Sequence, residues 1–134
     1  MFSCPIQIRM SDLDPFNHVN NGAQCHYFDM GRSRFFEHAF QTEIDWLTFK
    51  YVLVHVELDF KAPIHFHDDL ACESVITDVG NSSFKMEQRL VDRRSGLVKT
   101  VCHCVVVYFD RDANKSERIP DLEREMLGEL RTES

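Results

Sequence analysis

Between Asp12 and Asn21 the chain sets two carboxylates, one imidazole and three carboxamides within ten residues, as Asp12-Leu13-Asp14-Pro15-Phe16-Asn17-His18-Val19-Asn20-Asn21. Asp, Asn and Pro favour turns and helix caps for purely local reasons, so a turn leading into a helix accounts for them as readily as chemistry does. Position tips the balance. The amino end of a helix presents N–H groups without intrahelical acceptors and the positive end of the dipole, and both stabilise an oxygen that is gaining negative charge. A carboxylate beside such an end supplies the attack. That pair suffices for a thioester, whose carbonyl is more electrophilic than an amide's and whose thiolate leaves readily, with no need of a Ser-His-Asp triad.

A helix must begin where this segment ends. From Asn20 or Asn21 to about Phe40 there is no proline, Asn is a good N-cap, and Cys25, Phe28, Phe35, Phe36 and Ala39 fall near helical spacing. Tyr27, Met30 and Phe40 widen the apolar surface, which predicts a helix covered on most sides by a sheet, with Gly22 and Gly31 permitting close packing. Upstream, Ile6, Ile8 and Met10 alternate with Gln7, Arg9 and Ser11, predicting a first strand that ends at Asp14-Pro15.

Downstream, Val52, Val54, Val56, Leu58 and Phe60 alternate with His55, Glu57 and Asp59 in a strand that stops before Pro63. A weaker pattern over Asp69 to Val79 and a clear one through Phe84, Met86 and Leu90 give two more strands, joined by a tight Gly80-Asn81-Ser82 hairpin. After the turn Arg93-Arg94-Ser95-Gly96, the valine-dense run Leu97 to Phe109 reads as a central strand buried on both faces. Pro120, Asp121 and Glu123 open a short amphipathic helix carrying Leu122, Met126, Leu127 and Leu130, and the tail Arg131-Thr132-Glu133-Ser134 reads as solvated. Strand, long helix and four consecutive antiparallel strands predict an α+β chain, a single domain over 1–134.

Composition agrees: 134 residues with 43% hydrophobic content suit one core. Lys and Arg number 15 against 22 Asp and Glu, and the net charge of -7 excludes a protein that coats nucleic-acid phosphates. The longest apolar run, Leu97 to Phe109, is broken by Lys99 and His103 and falls short of a membrane-spanning helix. Met1 to Arg9 carries no legible secretory leader, and five cysteines without a CxxC pair read as reduced thiols, so the cytoplasm is the expected compartment.

Other groupings have plainer readings. His65-Phe66-His67-Asp68-Asp69 has two imidazoles at a spacing that a metal could use, but no third ligand is fixed and an exposed connection explains it. Cys102-His103-Cys104 turns its thiols to one strand face and its imidazole to the other, which suits buried thiols better than zinc. Only Cys25, within the long helix, lies near enough to a helix start to suggest a nucleophilic thiol. His55 and Glu57 either line a substrate tunnel or form a solvated strand face; Asp29 and Glu37 are helix carboxylates, Asp29 reading as a partner of Arg32.

The acid segment and the helix after it resemble the hotdog-fold acyl-CoA thioesterases of the 4-hydroxybenzoyl-CoA thioesterase type. The family pattern D-x-D-x-x-G-H-V-N-N-x-x-Y-x-x-Y-F-E-x-x-R corresponds to Asp12-Leu13-Asp14, His18-Val19-Asn20-Asn21, Tyr27-Phe28-Asp29 and Arg32. Phe60-Lys61-Ala62-Pro63 before Asp69-Leu70, the Gly80 to Phe84 hairpin and Val105 to Asp110 before Pro120 extend the likeness over nearly the whole chain. The resemblance implies a curved antiparallel sheet of about five strands wrapped around the long helix, and acyl-CoA as substrate, with CoA part of the substrate and no cofactor or metal. It implies homodimers with sites at the subunit interface, often paired into tetramers, and neither a nucleic-acid nor a membrane partner.

By position, Asp14 is the family's catalytic carboxylate, a nucleophile or a general base. The backbone N–H near Asn21 polarises the carbonyl, and His18 and Asn20 shape the loop and bind substrate. Asn17 stands where Gly is usual, which Asn tolerates because it visits left-handed backbone readily. Gln24 replaces a frequent aromatic and makes the pocket more polar, and His67 replaces a common Gly. The hairpin Gly80-Asn81-Ser82-Ser83 lacks the basic residues with which some relatives hold CoA phosphates, leaving Lys61, Lys85, Arg93 and Arg94 as substitutes. A 3-hydroxyacyl-thioester dehydratase enlisting His18, or a noncatalytic acyl-thioester binder, are the rival readings.

Overall fold

Asn20 starts the long helix by accepting a hydrogen bond from the Ala23 amide at 2.7 Å, and α1 then runs Asn21–Phe40. It stops at Gln41, whose φ of 53° is left-handed and closes the last turn onto Glu37 O. The computed structural model describes residues 1–131. Around α1 are the strands β1 (Phe2–Pro5), β2 (Tyr51–Phe60), β3 (Leu70–Val79), β4 (Ser83–Asp92), β5 (Val98–Asp110) and the two-residue β6 (Lys115–Ser116), with α2 (Asp121–Glu129) last.

The sheet order is β1-β3-β4-β5-β2, every pairing antiparallel, with β6 attached to β5. Three strands are therefore consecutive neighbours, but β2 pairs with β5 instead of β3. The chain crosses the sheet through α1 and comes down at the far side from β1, so β1 and β2 become the two edges. Cross-strand register puts Cys72, Ser74, Ile76, Phe84, Met86, Gln88, Thr100, Cys102, Cys104 and Val106 on one buried face. Phe28, Phe35 and Phe36 of α1 are buried against it, each side chain contributing about 1.5–3 kcal/mol. At Gly31 the approach is close enough that a Cβ there would collide with Cys72 Sγ and lie 2.8 Å from Cys72 Cβ.

Four expectations from the sequence need correction. The first strand lies at Phe2–Pro5, not along Ile6 to Met10, because Asp12 draws the following residues into a 3-10 turn at Met10–Asp12. In β2 the register shifts between Leu53 and His55, so Tyr51 and Leu53 face the helix before the bulge and Val56, Leu58 and Phe60 after it. The valine-rich β5 is central only in its pairing, since His103 is exposed on its outer face and Val101, Val105 and Val107 are half-buried. Finally, α1 is covered on one side, leaving His26, Met30, Arg34 and His38 exposed. In the tail, Arg131 is exposed but donates to Thr77 O at 3.2 Å, and Thr132, Glu133 and Ser134 lie outside the described residues.

Candidate active site

Two carboxylates separated by one residue have different surroundings. Asp12 is buried and fully engaged: Oδ2 accepts from the Tyr27 hydroxyl at 2.5 Å and the Arg9 amide at 3.0 Å, and Oδ1 faces Arg9 Nη2 at 3.2 Å. Burial alone would raise its pKa, but the hydrogen bonds from Tyr27 and Arg9 outweigh it and hold the carboxyl below its ordinary value. The Asp12 carbonyl accepts from both the amide and the side-chain Nδ2 of Asn20, at 2.9 and 3.0 Å. Asp12 thus ties the acid segment to the cap of α1.

Asp14 sits in the tight loop beyond it and is half-buried. Its Oδ1 accepts from the amides of Phe16 and His18 at 2.9 and 3.0 Å, while Oδ2 has no hydrogen-bond partner among the described residues. The loop turns at Asn17, with φ of 62°, the left-handed conformation that Asn adopts in place of Gly. Asn20 O and its side chain accept from Gln24 N and Ala23 N, so the amides of Asn21 and Gly22 are first-turn donors with no acceptor among the described residues.

All four sequence-predicted residues, Asp14, His18, Asn20 and Asn21, line one cavity of about 460 Å³, closed by Gln24 and by Phe60, Lys61, Ala62 and Pro63 at the end of β2. Gln24 is buried, and its Oε1 accepts from Thr100 Oγ1 at 2.5 Å, so this wall is polar as its replacement of an aromatic suggests. The Pro63 wall is fixed from below: buried Lys99 donates to Pro63 O at 2.9 Å and pairs with Asp68 at 3.2 Å. In the sequence Lys99 is legible only as a break in an apolar run.

His18 is also braced. Its backbone bridges to His65, and the two rings meet edge to face with centroids 5.1 Å apart. The remaining candidates are placed elsewhere. His67 is exposed against Phe66, and among the described residues no three His, Cys, Asp or Glu groups gather as a metal site. His55 and Glu57 pair at 3.0 Å on the outer sheet face, beside the His103 to Glu87 contact at 3.0 Å, away from the cavity. Asp29 pairs with Arg32 at 2.7 Å, and Glu37 Oε2 accepts from the Ile44 amide at 3.2 Å.

Cys102 and Cys104 are buried side by side near Arg32, while Cys25 is exposed outside the cavity lining. Of the four basic residues weighed for phosphates, only Lys61 lines the cavity. Arg93 holds Asp69 at 2.6 Å, Arg94 donates to His67 O, and Lys85 is exposed on the outer face.

Residues 8–127 match the thioesterase-like superfamily. A predicted thioesterase from Bacillus stearothermophilus superposes with a TM-score of 0.90 at 26% identity, covering 99% of this chain and 98% of that one. A thioesterase from Thermus thermophilus, solved in complex with coenzyme A and Zn, gives 0.84 at 26% identity, covering 98% and 95%. A thioesterase-superfamily structure from Jannaschia sp. CCS1 shares the fold, with a TM-score of 0.85 at 20% identity over 98% and 94% of the two chains. Comparison with curated protein sequences finds no significant match.

Proposed function

We propose that this chain, which belongs to the thioesterase-like superfamily, hydrolyses an acyl-CoA thioester to a free acid and CoA, and that its signature residues put it with the 4-hydroxybenzoyl-CoA thioesterase type. One observation carries the reading: Asp14 Oδ2, a carboxylate oxygen with no partner among the described residues, shares a cavity with the α1 first-turn amides that likewise have none there. The thioester carbonyl oxygen rests against the Asn21 and Gly22 amides, which meet the negative charge as it develops. Asp14 acts in one of two ways. As general base it takes a proton from water while the hydroxide adds to the carbonyl carbon; the C–S bond then breaks and the thiolate takes the proton. As nucleophile it forms a mixed anhydride with loss of thiolate, which water then opens.

His18 and Asn20 hold the loop and the cap in place, and the side chain of Asn21 is dispensable because its amide does the work. The Thermus relative bound to coenzyme A supports CoA as the thiol carrier, with Lys61 at the cavity mouth as a phosphate contact. The assembly is a homodimer, or a dimer of dimers, joined through the β2 edge, where Val54, Val56 and Phe60 are exposed and the cavity wall at Phe60 to Pro63 begins. Five unpaired cysteines fit a reducing cytoplasm.

The test is thiol release from a panel of acyl-CoAs by wild type and Asp14→Asn. Release by wild type with loss of most turnover in the variant supports hydrolysis driven by Asp14; equal rates would overturn these roles. An enoyl absorbance without thiol would favour dehydration through His18, and affinity without turnover would favour a binding protein.

A further inference from the structure

The helix and strand that bound the Asp14 cavity enclose a second one at their other end. Its volume is about 160 Å³, and Arg32, Phe36, Trp46, Phe49, Tyr51 and Leu53 form most of its wall. A cavity of roughly 150 Å³ holds one benzene-sized group. Asp29, Ser33 and Val106 complete the wall, and Arg32 is its buried polar member. It is 7% exposed, its Nη1 holds Asp29 Oδ1 at 2.7 Å, and its buried Nε has no hydrogen-bond partner among the described residues. A buried donor left unpaired is destabilising, and although the Asp29 carboxylate holds Nη1 and the Cys102 and Cys104 thiols lie beside the guanidinium, none of them bonds Nε.

Asn21 and Gln24 line the first cavity and Arg32 and Phe36 the second, so about ten residues of α1 separate them. At the helical rise per residue this is about 15 Å. With C–C bonds near 1.5 Å in a tetrahedral zigzag, about a dozen bonds of an extended chain cover it.

We infer that Arg32 reads the far end of the acyl group, and that the preferred substrate is a chain of about a dozen carbons whose distal carbon bears an uncharged hydroxyl or carbonyl oxygen. The inference rests on the thioester carbonyl lying at the α1 amino terminus, as proposed above. Asp29 already neutralises the guanidinium, so the remaining Nε–H selects a neutral acceptor over a carboxylate. Phe36, Phe49, Tyr51 and Leu53 hold the last methylenes, and Arg32 donates to the oxygen.

Trp46 is the chain's one tryptophan and stands in the wall, so its fluorescence reports occupancy. The wild-type protein is titrated with three CoA thioethers that cannot be hydrolysed: S-butyl, S-dodecyl and S-(12-hydroxydodecyl). The two long thioethers should change Trp46 emission and S-butyl should not, and the terminal hydroxyl should lower Kd by about tenfold. Arg32→Met should erase that tenfold difference. Leu53→Phe, which fills the cavity without touching the ion pair, should weaken both long thioethers and spare S-butyl, and it stands as the test if Arg32→Met does not fold. Equal affinity for the two long thioethers in wild type, long-chain binding unchanged in Leu53→Phe, or an unresponsive Trp46 would overturn the inference. Because thioethers bypass turnover, these outcomes are separate from thiol release, whose absence on every thioester would sink the hydrolase reading alone.

Discussion

The Tyr27 hydroxyl donates to Asp12 Oδ2 at 2.5 Å, joining the second turn of α1 to the acid segment across fifteen residues of chain. Both groups are buried. Tyr27→Phe leaves the ring packing intact and deprives a buried carboxylate of a donor, which costs about 1–3 kcal/mol. Thermal unfolding should show a Tm lowered by several degrees, with turnover reduced because Asp12 also holds the α1 cap through Asn20. An unchanged Tm would mean that the bond is not made in solution.

Asp12 and Asp14 should fail in opposite ways. Asp14→Asn keeps the two amide bonds to Oδ1 possible and removes only the charge facing the cavity, so Tm should hold while kcat falls by about a hundredfold or more. Asp12→Asn puts an amide where Arg9 and Tyr27 expect acceptors, so stability should fall first. Parallel melting curves and thiol-release rates separate the two, and a catalytically intact Asp14→Asn protein would refute the assignment.

Much of this was legible because local physics agreed with the tertiary outcome. Asn20 capped α1 and Asn17 took the left-handed turn, both choices made by side chains acting on their own backbone. The alternation in β2 misled at Val54, since a bulge flips the faces and no residue there announces it. The order of β2 and β5 was not readable either, because pairing across a helix is a long-range choice. Within the cavity, Gln24 was visible as an oddity of pattern, whereas Lys99 and Asp68, which brace the Pro63 wall, come from separate segments that only folding brings together.

Acid and alkali should each expose the Asp12–Tyr27 link. The Asp12 carboxyl is held below its ordinary value, so its stabilisation is complete above the unfolded carboxylate range, about 3.9, and is lost as pH falls through the lower folded value. The Tyr27 hydroxyl is raised, first by burial and then by its hydrogen bond to the Asp12 carboxylate and that group's charge, so its contribution is complete below about pH 10 and is lost as pH rises beyond it. Urea unfolding across pH should show both limbs in wild type. Asp12→Asn should make the acid limb shallower, and Tyr27→Phe the alkaline one, to which buried Tyr51, also raised by burial, still contributes.

The β2 edge offers a test of assembly. Val54 and Val56 are 58% and 41% exposed on a strand whose outer edge has no partner among the described residues. Lysine at both positions should block edge pairing without disturbing the pairing with β5. Sedimentation should report a dimer for wild type and a monomer for the variant, and acyl-CoA turnover should fall with the change. A monomeric wild type, or a fully active monomeric variant, would remove the interface from the mechanism.

Gly31 sets how close α1 lies to the sheet, and through that the placement of its amino terminus. Gly31→Ala gains helix propensity of about 1 kcal/mol, yet its methyl would meet Cys72 Sγ and sit 2.8 Å from Cys72 Cβ. The helix cannot withdraw freely, because Gln88 Nε2 holds Phe28 O at 3.2 Å and Ser74 Oγ at 3.1 Å. Overpacking of this kind costs about 1–3 kcal/mol, so the net change should be destabilising. Cys72→Ala removes the sulfur but not the Cβ, so the double variant should recover part of the loss, with a coupling above about 0.5 kcal/mol in a double-mutant cycle. Turnover is the sharper readout. If Gly31→Ala relieves the clash by tilting α1, the Asn21 and Gly22 amides move relative to Asp14, and an error of about 1 Å there can cost about a hundredfold in rate. A variant less stable than wild type but equally fast would show that the helix adjusts at Cys72 and keeps its amino end in place.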